Sequence, residues 1–366
     1  MNNNIVIAGT GVYVPPHKIS NEELVNSFNA FVDIYNQQHP ETPRPYSSAS
    51  FIEKASGIQN RYVIDKEGIL DPARMYPKIA LRQDDEPSLQ AEIACIAIQA
   101  ALQDAKKTPA DIDGIILACS FLQRSYPAVA IEVQHLLGAK GFAFDMNVAC
   151  SSSTFGIATA YNYLLNEQNK CMVVVNPEIT TGHIDFQDRD SHFIFGDISI
   201  ATVLERNPPA PSGFEILGHK LSTSFSNNIR NNNGFLNRAE CDNACPLPLH
   251  LFKQNGRKVF KEVVTLVEEH ITAHLASLKL TAHDIKRFWL HQANINMNEL
   301  IIKKILNHDP LPLHAPMILH EYGNIASAGS LMAFHHHRAD LQSGDLGLIC
   351  SFGAGYSIGS LIVKKC

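Results

Sequence analysis

The sequence predicts an α/β protein built from two tandem copies of one unit, and three echoes along the chain predict it. Thr108-Pro109-Ala110-Asp111-Ile112 leads into the apolar run Ile115-Ile116-Leu117-Ala118-Cys119, and Thr281-Ala282-His283-Asp284-Ile285 leads into Phe288-Trp289-Leu290. The small residues after Cys150 are echoed by Asn324-Ile325-Ala326-Ser327-Ala328-Gly329-Ser330. Phe195-Gly196-Asp197-Ile198 is echoed by Phe352-Gly353-Ala354-Gly355, each before a hydrophobic strand. The pairs keep one order, as internal repeats do. The proline-rich stretch Asn207 to Gly213 is the expected join, giving halves 1–207 and 213–366.

The elements follow in order. Residues 5–9 read as a strand and Gly9-Thr10-Gly11 as a turn that lacks the third glycine of a dinucleotide loop. Ser20 and Glu23 form a capping box for a helix running towards Phe31. Residues 36–50 are polar and proline-bearing, an inserted loop, and Ser48 to Gly57 is a short helix closed by glycine. Residues 65–87, with Pro72, Pro77 and Pro87, read as a surface excursion of the kind that covers or builds a site. Long helices are expected over 88–106 and 256–279, from apolar positions at helical spacing. The Asn-rich stretch 227–250 is an inserted loop of the second copy.

The 366 residues, 45% of them apolar, suffice for about two domains of ~150 residues. A net charge of −6 without basic blocks excludes wholesale nucleic-acid binding. The first apolar segment, Ile5 to Ala8, is far short of the ~20 residues of a membrane span and has no signal-peptide flanks. Cys95, Cys119, Cys171 and Cys350 lie in apolar runs, as reduced core thiols of a cytoplasmic enzyme do. Cys241 and Cys245 have no second pair nearby, so zinc is not expected. His335-His336-His337 share one helix, where adjacent side chains diverge. Asp197 follows a Phe-Gly turn and is expected to fix backbone there rather than hold a metal with Asp188 and Asp190.

The chemistry centres on Phe144-Asp145-Met146-Asn147-Val148-Ala149-Cys150-Ser151-Ser152-Ser153-Thr154, where a strand turns into a helix. A helix start favours negative charge, so a thiol there is expected to deprotonate more easily, and the thiolate is the nucleophile. Alone, Cys150 fits equally a small buried hydrophobe. His291, after a buried strand, and Asn324, after Gly323, each also fit a structural role. Pseudo-symmetry brings the three together, and then His supplies a base and Asn an un-ionised donor to an oxyanion.

These motifs resemble the β-ketoacyl-acyl-carrier-protein synthase III family of the thiolase fold along nearly the whole chain. The resemblance rests on Asn147-Val148-Ala149-Cys150, His291-Gln292-Ala293-Asn294, Gly323-Asn324 and Phe352-Gly353-Ala354-Gly355. It implies a five-layer αβαβα sandwich, a homodimer and no metal or redox cofactor. It implies an acyl thioester loading Cys150, an oxyanion held by the N–H groups of Cys150 and Ala354, and decarboxylative condensation with a malonyl thioester assisted by His291 and Asn324. The implied partners are acyl-CoA and malonyl carrier protein, with Arg189, Asn294, Lys261, Lys303 and Phe51 as binding candidates. Tyr126, expected to reach the partner's acyl channel, and Phe155 are the acyl-pocket candidates. The family's Trp and Arg at the CoA site fall on Phe51 and Ala55, and another Arg falls on Asn296. The donor site is therefore expected to be altered, and the primer to be longer than acetyl. Lys304 is expected on a solvated face. A non-extending acyltransferase on the same fold, or a silent binding paralogue, are the alternatives. Hydroxymethylglutaryl-CoA synthases and plant-type polyketide synthases share the Cys, His and Asn but match less of the chain.

Overall fold

A computed structural model describes residues 4–209, 213–232, 250–311 and 313–366. Nine strands form one mixed sheet: β1 (Ile5–Tyr13), β2 (Gly114–Ala118), β3 (Phe142–Met146), β4 (Cys171–Glu178), β5 (Ile198–Arg206), β6 (Phe214–Thr223), β7 (Ile285–Leu290), β8 (Leu346–Gly353) and β9 (Ser357–Lys365). Their order is β7-β8-β9-β6-β1-β5-β4-β2-β3. The first half reads β1-β5-β4-β2 with two antiparallel pairings and then a parallel one. The second half reads β6-β9-β8-β7 with the same pairings. The halves join where Val6 and Ile7 of β1 pair with Glu215 and Phe214 of β6. β3 adds a parallel fifth strand to the first half. At the matching place in the second half, Phe288 N–H of β7 donates to the His314 carbonyl at 2.7 Å.

The helices complete five layers. α1 (Asn21–Gln38) and α2 (Ala49–Ser56) belong to an N-terminal subassembly; α3 (Leu89–Asp104), α4 (Val129–Leu137), α5 (Ser152–Leu164), α6 (Gly256–Ser277), α7 (Ile295–Leu306) and α8 (Gly329–His336) pack on the sheet. Strand side chains alternate between faces. Ile115 and Leu117 of β2 therefore pack outward with Ala94 and Ile98 of α3 and Val133 of α4. Ile116 and Ala118 point inward to a core shared with Ile157 of α5, Leu331 and Phe334 of α8, and Trp289, Ile349 and Leu361 of the second half. Phe288 and Leu348 face outward again, onto Val263 of α6 and Ile301 of α7. A sheet buried on both faces needs continuous apolar strands, and β4 is buried at all eight positions. The order outer helices, sheet, α5 with α8, sheet, outer helices is the expected sandwich.

The echoes have matching geometry. Thr108 and Asp111 form a capping box, with Thr108 N–H to Asp111 Oδ2 at 2.7 Å, and Thr281 and Asp284 repeat it at 2.7 Å. Lys106 and Lys279, each two residues before those threonines, both have positive φ, 55° and 58°. Asn147 and Asn324 each accept the N–H of the residue two ahead, Ala149 at 2.9 Å and Ala326 at 3.0 Å, and both alanines have positive φ, 46° and 45°.

α1, α2 and a ribbon of His17–Ser20 with Asn60–Val63 enclose their own apolar cluster, which includes Phe28, Ile52, Phe193 and Phe195. The 65–87 excursion contains a single helical turn, Glu67–Leu70. Asp197 is buried and accepts from the N–H of Thr181 and of Ile64, both at 2.9 Å, so it fixes backbone. His335 meets the Thr10 hydroxyl at 2.7 Å and His336 the Tyr322 hydroxyl at 3.2 Å. Cys241, Cys245 and residues 210–212 of the join lie outside the described residues. So does most of 227–250, beyond the pairing of Ile229–Arg230 with Lys253–Gln254. No described helix is long and apolar enough to cross a membrane.

Candidate active site

Cys150 sits in a tight elbow between β3 and α5. Asn147 Nδ2 donates to the Ser120 carbonyl at 2.9 Å, and Val148 N–H donates to Ser152 Oγ at 2.8 Å. The second half closes on this elbow. Ser151 Oγ donates to the Ser357 carbonyl at 2.9 Å. A Cβ at Gly353 would lie 2.7 Å from Cys150 Cβ, and one at Gly359 only 2.2 Å from Thr154 Oγ1. Two glycines and a run of small hydroxyl residues thus let the halves meet at the sulfur.

His291 follows β7 and continues its ladder, with its N–H donating to the Cys350 carbonyl at 2.8 Å. Asn298 Nδ2 donates to the His291 carbonyl at 2.8 Å, and the ring stands edge-on to Phe352 at 5.2 Å. Burial pushes the imidazole down to about 4, with the nearby Ala326 backbone pulling weakly the other way, so the ring is neutral near pH 7. Its Nδ1 is buried without a hydrogen-bond partner among the described residues.

Asn324 is pinned by its own backbone, N–H to the Ile194 carbonyl at 2.9 Å and carbonyl to Gly196 N–H at 3.1 Å. With Oδ1 occupied by Ala326 N–H, the amide NH₂ is the end left for a ligand.

Burial reverses one expectation. It raises the Cys150 thiol to about 12, the buried Glu178 carboxylate adds to this, and the Cys150 backbone N–H only partly offsets both. The resting pair is therefore a thiol and a neutral imidazole, and deprotonation belongs to the reaction rather than to the resting state. Desolvation outweighs the helix start here.

Cys150 lies where two cavities meet. One, of about 580 Å³, is lined by Cys150, His291 and Asn324 and opens past Asn294, Phe51 and Arg257. The other, of about 760 Å³, is lined by Cys150, Ala354, Phe121, Leu122, Ser125 and Phe225. Asn294 caps α7 through Met297 N–H at 3.2 Å and donates to the Ala55 carbonyl at 2.7 Å. Arg189 and Phe51 are brought together, but onto one another, with the guanidinium carbon 4.0 Å from the ring centroid. Lys261 and Lys303 line neither cavity. Lys303 pairs with Asp309 at 2.8 Å and Lys304 with Glu268 at 2.7 Å. Tyr126 and Phe155 also line neither, and Tyr126 is 84% exposed. Arg257 at the mouth and the buried Glu178, whose charge acts on the thiol, were not singled out from the sequence. Arg257 is the second residue after the Asn255 helix cap, which is the one local signal for it.

The 3-oxoacyl-[acyl-carrier-protein] synthase III family matches at residues 144–224, and its C-terminal domain at 275–365. A β-ketodecanoyl-[acyl-carrier-protein] synthase of Pseudomonas aeruginosa is 53% identical over 350 residues, 93% of this chain and 100% of that protein. This chain belongs to the β-ketoacyl-acyl-carrier-protein synthase III family. It is an acyltransferase of the condensing type, in fatty-acid biosynthesis. A β-ketoacyl-[acyl-carrier-protein] synthase III of Lactiplantibacillus plantarum is 28% identical over 98% of both chains. The fold is that of the Aquifex aeolicus synthase III, with a TM-score of 0.76 at 23% identity over 99% and 100% of the two chains. It is equally that of the priming β-ketosynthase of the R1128 polyketide pathway, at 0.79 and 21% over 98% and 96%.

Proposed function

We propose that Cys150, His291 and Asn324 are the catalytic set of a synthase that extends a medium-chain acyl thioester by two carbons. The observation that carries this is their meeting in one cavity, with a second cavity beyond the sulfur for the acyl chain. In the first step the Cys150 thiol attacks the donor thioester and its proton passes to neutral His291. The S–C bond to Cys150 forms, the donor C–S bond breaks, and the leaving thiolate takes that proton. The N–H groups of Cys150 and Ala354 hold the oxyanion. In the second step a malonyl thioester on carrier protein loses carbon dioxide. His291 and the free Asn324 amide hold its thioester oxygen as the enolate forms. The carbanion attacks the acyl-Cys150 carbonyl, a C–C bond forms, and Cys150 leaves as a thiolate that takes a proton from solvent. Nothing in these steps requires a metal or redox group.

The product named for the Pseudomonas aeruginosa relative has ten carbons. One condensation adds two, so an eight-carbon primer is the reading carried to this chain, in keeping with the larger cavity. Acyl-CoA as donor requires the Arg189–Phe51 pair to part or the adenine to lie elsewhere. A homodimer suits β3, an edge strand half-buried along all five residues, and the exposed Tyr126, which then reaches the partner. The division near residues 207–213 belongs to the same reading.

The test is intact protein mass after exposure to acyl-CoAs from acetyl to dodecanoyl, with Cys150→Ala as control, followed by carbon dioxide release from malonyl carrier protein. A single adduct, greatest at octanoyl and absent in the variant, followed by release, supports the reading. An adduct without release favours plain acyl transfer. No adduct from acyl-CoA or acyl carrier protein ends it.

A further inference from the structure

Glu178 ends β4 at the seam between the halves and is fully buried. Its Oε1 accepts from Ser120 N–H at 3.0 Å, from Ser327 N–H at 3.2 Å and from the Ser327 hydroxyl, and its Oε2 accepts from the Ser120 hydroxyl. Among the described residues, the hydrogen bonds it accepts come from backbone N–H and hydroxyl groups and none from a cation. Burying a carboxylate without a cation is costly. The hydrogen bonds that offset the cost all come from two segments of the site. Ser120 lines the larger cavity, and Ser327 follows Asn324 by three residues.

We propose that Glu178 is a positioning residue for condensation: through Ser327 it fixes the Ala326–Ser327 peptide, which sets the donor geometry of Asn324. The inference rests on the Asn324 amide acting on the enolate. Ala326 holds Asn324 Oδ1 through its N–H at 3.0 Å. It does so at φ 45°, a left-handed conformation that alanine does not favour unaided. The next N–H along the chain is the one Glu178 accepts. Releasing it lets Ala326 relax, and the Asn324 amide loses its aim.

The experiment compares full-length wild type, Glu178→Gln, Ser327→Ala and the double variant. It measures Cys150 acylation by intact mass and malonyl carrier protein decarboxylation by carbon dioxide release. Decarboxylation is expected to fall roughly 10²-fold in each single variant, the loss that a ~1 Å misplacement causes, and no further in the double variant. Acylation is expected to fall far less. Alkylation of Cys150 by iodoacetamide is expected to move to lower pH in Glu178→Gln, because a negative charge facing the thiol is gone; loosened packing alone would not produce that. Equal losses in both half-reactions, losses that multiply in the double variant, or wild-type decarboxylation in Glu178→Gln would overturn the role. If Glu178→Gln does not fold by circular dichroism, the same split in Ser327→Ala decides. Wild type that neither acylates nor decarboxylates refutes the proposed function instead.

Discussion

Substituting Gly353 by alanine tests how the nucleophile is held. Gly353 ends β8, and its backbone does not require glycine, since its φ is not among the positive ones. The reason for glycine is contact: the added methyl would sit 2.7 Å from Cys150 Cβ and 3.1 Å from Cys150 N. Both are at the root of the side chain, where no rotamer change gives relief. To reach ordinary contact near 3.4 Å, Cys150 must retreat by about 0.7 Å, or β8 must. Overpacking of this kind costs ~1–3 kcal/mol of stability. A retreat of that size also displaces the sulfur, and misplacements of ~1 Å cost as much as 10²-fold in rate. Gly353→Ala is therefore expected to keep a folded protein with a lowered urea midpoint and to slow acylation of Cys150 by roughly ten- to a hundredfold. The assay is time-resolved intact mass with octanoyl-CoA beside urea unfolding. Wild-type acylation together with a wild-type midpoint would refute the reasoning.

Asn324→Ala should lower condensation by ~10²–10³-fold, the usual loss of one oxyanion donor, and acylation much less; equal losses in single-turnover assays would remove Asn324 from its role. His183, His192, His270, His274, His291 and His335 are each pushed down by burial to about 4. The unfolded chain binds more protons than the folded one between pH 6.5 and 4, so their contribution is full above the unfolded value and lost as pH falls. Melting temperature should drop steeply across that window, and a flat profile would contradict the burial of these rings. Arg61, 1% exposed, donates to Asn21 Oδ1 at 2.7 Å and to the Phe193 and Ile19 carbonyls at 3.2 and 3.3 Å. Arg61→Met leaves these acceptors unpaired and should cost ~2–4 kcal/mol by urea unfolding; an unmoved midpoint would show that water replaces the guanidinium.

Local features were legible and through-space ones were not. Paired capping boxes at Thr108 and Thr281 are written in four-residue spacings, so the duplication could be read directly. The helix expected over 88–106 is Leu89–Asp104, and that over 256–279 is Gly256–Ser277. Cys150, His291 and Asn324 could be proposed because each lies just beyond a recognisable strand or helix. Their protonation could not, because desolvation depends on what packs against them from the other half. For the same reason Glu178 reads as the polar end of a strand, and nothing near it in sequence announces Ser327. Lys261 and Lys303 matched by position, but helix orientation turns them away from the cavity. The Arg189–Phe51 stack joins residues far apart in the chain, and only the folded subassembly of α1 and α2 shows it closed.

The twin turns at Asn147 and Asn324 carry one more consequence. Both asparagines spend the carbonyl end of the side chain on the N–H two residues ahead. Asn147 also spends its NH₂ on Ser120, whereas Asn324 keeps its NH₂ in reserve. Asn324, the proposed reactive asparagine, is thus the structural one with an acceptor withheld. A duplicated chain can gain a catalytic donor in this way by losing a neighbour, without changing the residue or the turn that presents it.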